Sequence, residues 1–312
     1  MKKCIVYLWM GMMMLGMAVG EVVFPERFMK YEKIAQDEYQ LSTPILSYEG
    51  KEGNVVELVG AVHVAEKEYY ARLNKLFATY QLLFFEMVGG ECLQRVAYLE
   101  KKIDRSKPLW GLTLEEAREW NQLQRMGEIV KKQNEAGLIK YIGGMYKKMA
   151  QALNIASQTE AVDYSPAHFV HADMSHSEFV EAQEQANETM SSIALNEMWR
   201  NMKDPEAYKG NDMKLLSDFI TGNMTGLKNE LMKILASSSK NTMENTVILE
   251  GRNKKCFEIF DQVMSENNAP RVGIFYGAAH LPGMHKEMQK RGYRLTQVRW
   301  EVAWSTVKSK DK

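Results

Sequence analysis

The chain has 312 residues, which is long enough for one large domain or two average ones with a sizeable buried core. Its 40 Lys and Arg residues balance 40 Asp and Glu residues, so the formal net charge is zero at pH 7. This balance gives no basis for a nucleic-acid partner or for binding to an anionic membrane.

The first twenty residues, MKKCIVYLWMGMMMLGMAVG, have the pattern of a secretory signal peptide. Lys2 and Lys3 form a basic start, residues 4–17 are apolar, and Ala18–Gly20 resembles a cleavage site before Glu21. The apolar stretch is also long enough for an uncleaved single-span anchor. We expect export to a periplasm or to the outside of the cell, with no stable membrane insertion after cleavage.

Strands and one helix are predicted after the leader. Residues 38–64 have strand character, with a hairpin turn at Glu49–Asn54. A helix comes after the Gly-x-x-His sequence Gly60–His63, because apolar side chains recur there at helical spacing. The unbroken apolar run Leu82–Phe85 predicts a parallel strand that is covered on both faces, and Glu86 ends it.

Residues 91–240 have a helical composition and show no convincing strand. Thr113–Glu116 and Ser175–Glu178 each have the sequence of a capping box, which predicts the start of a helix. We therefore predict a large all-helical insertion between a first α/β half at residues 38–90 and a second at residues 241–304.

The second α/β half repeats the order of the first. A helix at about 243–266 leads to a strand at Arg271–Tyr276 and then to a second Gly-x-x-His sequence, Gly277–His280. A short helix that ends at Gly292 comes next, and residues 298–304 alternate as a half-buried strand does.

The repeat predicts two related strand-turn-helix-strand halves that form a mixed central sheet in a single α/β domain over residues 21–312. Ligands of open α/β sheets bind beyond the carboxyl ends of the strands, so His63 and His280 should face one crevice. Glu86 should lie at the same edge, and two imidazoles with a carboxylate and water suit a hydrolytic metal centre. Glu301 has a similar place in the second half, but its alternation puts it on the solvated face.

Arg252 and Asn253 are polar residues on the buried side of an amphipathic helix. A buried arginine requires a carboxylate or an oxyanion as its partner. The sequence leaves two interpretations open. Arg252 forms an internal salt bridge, or the two residues belong to the site, where they orient Glu86 or polarise a substrate carbonyl.

The segment Asp163–Glu178, DYSPAHFVHADMSHSE, also has two interpretations. Asp173 and Ser175 are natural residues for the start of a helix, so the segment can be a loop with a helix cap after it. It also resembles a metal-binding tract, and in that case His171 or Asp173 is the expected contributor to the site.

Cys92 and Cys256 are the cysteines that remain after removal of the leader. They can form a disulfide in an oxidising compartment, or they can remain buried free thiols in apolar helical surroundings.

The motifs Gly60–His63, Phe85-Glu86, Arg252-Asn253 and Gly277–His280 together resemble the TraB/GumN/Tiki family. This family belongs to a superfamily with ChaN-like haem-uptake proteins and erythromycin-esterase-like proteins. The resemblance implies an α/β core of two related halves with a site between the two Gly-x-x-His turns. Tiki members are metal-dependent peptidases, so the resemblance implies Mn or Co as the divalent metal, with Zn as an alternative, and a peptide or protein substrate. The sequence lacks the His-Glu-x-x-His helix of ordinary zinc proteases.

Three functions remain open at this point. In the first, the chain is a secreted metallohydrolase, in particular a peptidase, in which His63, His280 and Glu86 hold the metal or its water. Arg252 and Asn253 would then stabilise the developing oxyanion, with His171 as a further candidate ligand. In the second, the chain is a ChaN-like carrier of haem or another ligand. In the third, it is an inactive relative that acts through surface interactions.

If the leader is cleaved, protein from the periplasmic fraction should begin at or near Glu21 when its N-terminus is sequenced. A chain that still begins at Met1 and stays with the membrane fraction would establish the anchor instead.

Overall fold

In the part of the chain that the structure describes, a seven-stranded mixed sheet forms the centre of this computed structural model. The described residues are 22–90, 93–102, 111–135, 155–186, 220–237 and 247–307, with the single positions 153, 214, 217 and 218. The strands are β1 Lys30–Ala35, β2 Glu38–Glu49, β3 Val55–Ala61, β4 Val64–Ala65, β5 Leu82–Phe85, β6 Ala156–Ser157, β7 Phe169–His171, β8 Arg271–Gly277 and β9 Arg294–Ser305.

Helices cover this sheet and connect its strands. They are α1 Lys67–Phe77, α2 Leu93–Lys102, α3 Leu114–Glu135, α4 Gln158–Ala161, α5 His176–Gln185, α6 Met224–Ser237, α7 Arg252–Glu266 and α8 Leu281–Lys290. A π-helical turn, Val247–Gly251, precedes α7, and a 3-10 turn, Ala278–His280, precedes α8.

The strand order across the main sheet is β1-β2-β3-β8-β5-β7, and β9 pairs with β2. Strands β1, β3 and β9 are antiparallel to β2, whereas β3, β8, β5 and β7 are parallel neighbours. Strands β4 and β6 form a separate antiparallel pair. The mixed α/β architecture is therefore confirmed, whereas the relation between two halves stays a prediction.

The four parallel strands end together at one edge of the sheet. At the ends of β3 and β8, Ala61 lies opposite Gly277, and at the end of β5, Phe85 lies opposite His171 of β7. The two Gly-x-x-His turns therefore begin in the last residues of neighbouring strands, and Glu86 comes after the next strand in the sheet. The sequence motifs meet at the edge where the ligands of such sheets bind.

Both faces of the sheet are buried, which explains the unbroken apolar run of β5. Leu83 and Phe85 belong to a core cluster that includes side chains of α1 and α6. Phe84 belongs to a second cluster with side chains of α7 and α8. The predicted hairpin at Glu49–Asn54 is also confirmed, since β2 ends at Glu49 and β3 begins directly after the turn.

The prediction that residues 91–240 contain no strand is wrong. Strands β6 and β7 lie in this range, and β7 joins the main sheet beside β5. A strand of three residues is too short to show a periodic pattern, so β7 carries no strand signal in its sequence. The capping boxes at Thr113–Glu116 and Ser175–Glu178 are confirmed, because each hydroxyl accepts the glutamate N–H and each glutamate carboxylate accepts the cap N–H.

The N-terminal leader and one cysteine lie outside the described residues. Export and cleavage of residues 1–20 therefore stay predictions, as does any role of Cys92. Among the described helices, none is long and apolar enough to cross a membrane. Cys256 is a buried free thiol, in agreement with the second of the two alternatives for the cysteines.

Trp304 fixes the end of β9 against the segment directly after His63. Its indole Nε1 donates a hydrogen bond of 2.6 Å to the carbonyl oxygen of Val64, and the side chain is fully buried. Trp304→Phe should lower the free energy of unfolding by about 1–3 kcal/mol, because a buried carbonyl loses its donor. Guanidinium unfolding measures this loss. Trp300→Phe, at a half-buried position of the same strand, is the control and should cost less.

Candidate functional site

Glu86 is a buried carboxylate at the carboxyl end of β5. Its Oε1 accepts a hydrogen bond of 2.6 Å from Arg252 Nη2 and lies 3.5 Å from His280 Nε2, while its Oε2 accepts the backbone N–H of Gly277. Burial on its own would raise the pKa of Glu86, but His280 and Arg252 outweigh burial and hold the pKa well below its usual range. Glu86 is therefore ionised at neutral pH.

Gly277 allows the second Gly-x-x-His turn to approach this carboxylate. A Cβ atom at Gly277 would lie 3.2 Å from Glu86 Oε2, closer than an ordinary van der Waals contact. Because glycine has no Cβ, its backbone N–H can come within hydrogen-bonding distance of the carboxylate without a clash. The glycine of the motif therefore has a direct physical role in the site.

Arg252, the first residue of α7, joins two buried carboxylates. Its Nε donates to Asp173 Oδ1 over 2.9 Å, and its Nη2 donates both to Asp173 Oδ2 and to Glu86 Oε1. Burial lowers the pKa of Arg252, but Glu86 and Asp173 more than offset this effect and raise the pKa above its usual value. The internal salt bridge and the orientation of Glu86, which the sequence left as alternatives, are one and the same contact.

Asn253 determines how His280 presents its ring. Asn253 Oδ1 lies 2.7 Å from His280 Nδ1, and Asn253 Nδ2 donates to the backbone carbonyl oxygen of His280 over 3.3 Å. This second contact fixes which amide atom faces the ring, so we assign the hydrogen of neutral His280 to Nδ1. The lone pair on Nε2 then points towards Glu86.

His63 comes after β3 at the same edge of the sheet, but its side chain is exposed. Its carbonyl oxygen accepts the backbone N–H of Gln158 over 2.8 Å, and the next two residues pair as β4 with β6. His63 lowers the pKa of Glu86 as well, in addition to the larger effects of burial, His280 and Arg252. The ring of His63 is therefore within electrostatic reach of the Glu86 carboxylate. The structure brings His63, His280 and Glu86 to one edge, with one histidine exposed and the other buried.

The model of the TraB/PrgY/gumN family matches residues 45–297, which is most of the chain. The chain belongs to the TraB/PrgY/gumN family. No curated protein and no solved structure matches it significantly. The matched range contains both Gly-x-x-His turns, Glu86, Arg252 and Asn253.

In this TraB/PrgY/gumN family member, the segment Asp163–Glu178 contributes one carboxylate to the network. Asp173 lies just after β7 and binds Arg252, whereas His171 Nε2 lies 2.7 Å from the carbonyl oxygen of Met87. The loop-and-cap interpretation holds for the end of the segment, where α5 begins after its Ser cap. The role of His171 as a metal ligand stays a prediction.

Glu301 lies away from this network, on the face where its alternation placed it. Its Oε2 accepts a hydrogen bond of 3.0 Å from Arg72 Nε, and its side chain is about one-third exposed to solvent. The second half of the chain therefore has no counterpart of Glu86 at this position.

Tyr276, Gln158 and Tyr164 are polar neighbours of the site that the sequence analysis missed. Tyr276 donates to the carbonyl oxygen of Ala172, and its ring packs edge-on against His280 at 5.1 Å between centroids. Its place directly before the motif glycine, inside an apolar strand, is a signal that could have identified it. Gln158 and Tyr164 lie in a four-residue helix and the loop after it, which give no pattern.

The donor atoms at this edge meet part of the requirement for a metal centre. Among the described residues, no group of three or more His, Cys, Asp or Glu side chains is arranged to hold a metal ion. If His280 is neutral, its Nε2 and Glu86 Oε1 are nevertheless two acceptors 3.5 Å apart. Such a pair requires a proton or a metal cation between the two atoms.

The arginine network generates a stability prediction. Arg252→Ala should lower the free energy of unfolding by about 3–5 kcal/mol, because it leaves Glu86 and Asp173 buried without their cation. Arg252→Lys should recover part of the loss, since lysine restores the charge but not the planar fork that binds both carboxylates.

Arg294→Ala is the matched control. Arg294 pairs with Glu49 at the surface, and its side chain is 71% exposed, so the cost should be about 0–1 kcal/mol. Guanidinium unfolding of the three variants measures these losses. Equal losses of unfolding free energy in Arg252→Ala and Arg294→Ala would contradict the network.

Proposed function

We propose that this chain is an exported metal-dependent hydrolase that cleaves peptide bonds. Membership of the TraB/PrgY/gumN family is consistent with the proposal, and the predicted leader at residues 1–20 supports export. The observation that carries the proposal is the close approach of His280 Nε2 to Glu86 Oε1, 3.5 Å apart inside a buried network.

The charge of the network supports a cation at this place. Glu86 and Asp173 contribute two carboxylates and Arg252 one guanidinium, so these three groups carry a formal charge of −1, which a proton on His280 or a cation beside Glu86 would offset. A buried negative charge without a counterion is unfavourable, and a divalent ion beside Glu86 would remove that cost. This charge supports the proposal of a cation on the His280 side of Glu86.

The proposed ligands are His63, His280 and Glu86. Asn253 Oδ1 accepts from His280 Nδ1, which in a neutral ring leaves Nε2 free, and the second shell of a metal site usually orients its histidines in this way. His171 is left out of the set, because its Nε2 already contacts a backbone carbonyl oxygen. When bound, a divalent ion supplies an acidified water molecule and polarises a substrate carbonyl.

The residues of the chain have separate tasks in this proposal. Arg252 keeps Glu86 ionised and holds both of its neighbours in place, and Asn253 orients His280. Both functional atoms of the Asn253 side chain already contact His280, so we assign Asn253 to positioning. Direct stabilisation of an oxyanion by Arg252 stays a prediction from the sequence.

Metal loading of the purified full chain tests the proposal. After treatment with EDTA, wild-type protein should take up about one equivalent of Mn²⁺, Co²⁺ or Zn²⁺ by elemental analysis. His63→Ala and His280→Ala should each lose this metal while keeping the fold, and both should lose cleavage of a quenched fluorescent peptide library. Asn253→Leu should weaken metal binding about 10–100-fold.

His176→Ala is the control, because His176 lies in the same tract of the chain as His171 but outside the network. It should keep both metal and activity. Wild-type protein without metal, or a His63→Ala variant with full metal content, would overturn the shared site. A haem absorption band after incubation with haem would favour the carrier function instead.

A further inference from the structure

Gln158 and Tyr164 form a buried polar pair beside the candidate site. Gln158 is 5% exposed, and its backbone N–H donates to the carbonyl oxygen of His63. The ring of Tyr164 packs against the ring of Phe85, with 5.0 Å between the two centroids. Phe85 directly precedes Glu86 in the chain. Tyr164 is also within electrostatic reach of Glu86. The pair therefore contacts the first Gly-x-x-His turn through Gln158 and the end of the Glu86 strand through Tyr164.

The pair has two unused hydrogen-bonding groups. Gln158 Nε2 donates to the Tyr164 hydroxyl over 3.1 Å, whereas Gln158 Oε1 is buried and has no hydrogen-bond partner among the described residues. Within the same part of the chain, the Tyr164 hydroxyl has no acceptor for its own hydrogen. Buried polar groups are almost always paired, so an unpaired one beside a candidate site marks a place where a ligand or an ordered water molecule would bind.

One donor and one acceptor remain whichever way the amide of Gln158 is oriented. If its oxygen and nitrogen are exchanged, the Tyr164 hydroxyl donates to Oε1, and the unused groups become the Nε2 hydrogens and the Tyr164 oxygen. The chemistry offered to a ligand is the same in both cases. A neighbouring donor and acceptor are the complement of one secondary amide, which presents one C=O and one N–H group.

We infer that Gln158 and Tyr164 bind one backbone amide group of a peptide, next to Glu86. In the orientation observed, Tyr164 donates to the amide oxygen and Gln158 Oε1 accepts the amide N–H. The inference rests on the proposed function for the identity of the substrate, but the subsite itself needs no metal. The substrate is then a chain of secondary amides, and Gln158 and Tyr164 are two specificity-determining residues of the site.

The protonation of Tyr164 is suited to this role. Burial, opposed in part by the hydrogen bond from Gln158 and reinforced by Glu86, raises the pKa of Tyr164 to about 12. Its hydroxyl therefore keeps its hydrogen at neutral pH and can act as a donor. The ionised Glu86 nearby further disfavours a second negative charge on this ring.

The experiment measures binding of N-acetyl-alanyl-alanine amide to metal-free full-length protein by NMR titration. Tyr164→Phe and Gln158→Leu should each weaken binding about 3- to 10-fold, as expected for loss of one hydrogen bond. The double variant Gln158→Leu/Tyr164→Phe should weaken it at least about tenfold. Because both partners then become apolar, the double variant should unfold at the same guanidinium concentration as wild type or a higher one.

Tyr80→Phe is the matched control, since Tyr80 is a buried tyrosine whose hydroxyl donates to Glu57 at the other end of the strands. It should lose stability and keep binding of the probe. Absence of binding to wild type, or equal binding by wild type and the double variant, would overturn the subsite. If the probe binds wild type more tightly than the double variant but wild type cleaves no peptide, the subsite stands and the proposed hydrolase is rejected.

Discussion

The position of Arg252 between two buried carboxylates is the constraint on which the rest of the site depends. Glu86 lies at the end of β5, Asp173 lies just after β7, and Arg252 begins α7, so three elements distant in sequence meet at one guanidinium. Charged groups in a low-dielectric interior are stable only when they are paired and hydrogen-bonded. The fork of the guanidinium satisfies both carboxylates at once, which lysine cannot do.

This arrangement is poorly explained by stability alone. Replacing a buried ion network with apolar side chains of similar volume is often neutral or stabilising, so folding does not require such a network at this place. Two carboxylates around one arginine also leave a formal charge of −1. That excess lies beside His280, and the proposed cation there would give the network a functional reason.

Much of this site could be predicted from the sequence, and for identifiable reasons. The glycines, histidines and Glu86 lie at the ends of long apolar strands, and parallel strands bring their carboxyl ends to one edge. Arg252 and Asn253 were recognisable as polar residues on a buried helix face. Strand β7 was not predictable, because its three residues show no periodicity and its place depends on pairing with β5. Which carboxylate Arg252 binds is likewise a long-range property, since 79 residues separate it from Asp173.

The two Gly-x-x-His motifs lead into different backbone structures. After His280 the chain continues from a 3-10 turn into α8, so the ring lies inside. After His63 it forms β4, which β6 and Trp304 hold, and the ring stays at the surface. Solvent therefore reaches this edge from the His63 side. Gln158 is bound to the His63 carbonyl on that same side, so the proposed amide subsite adjoins the exposed histidine and not the buried one.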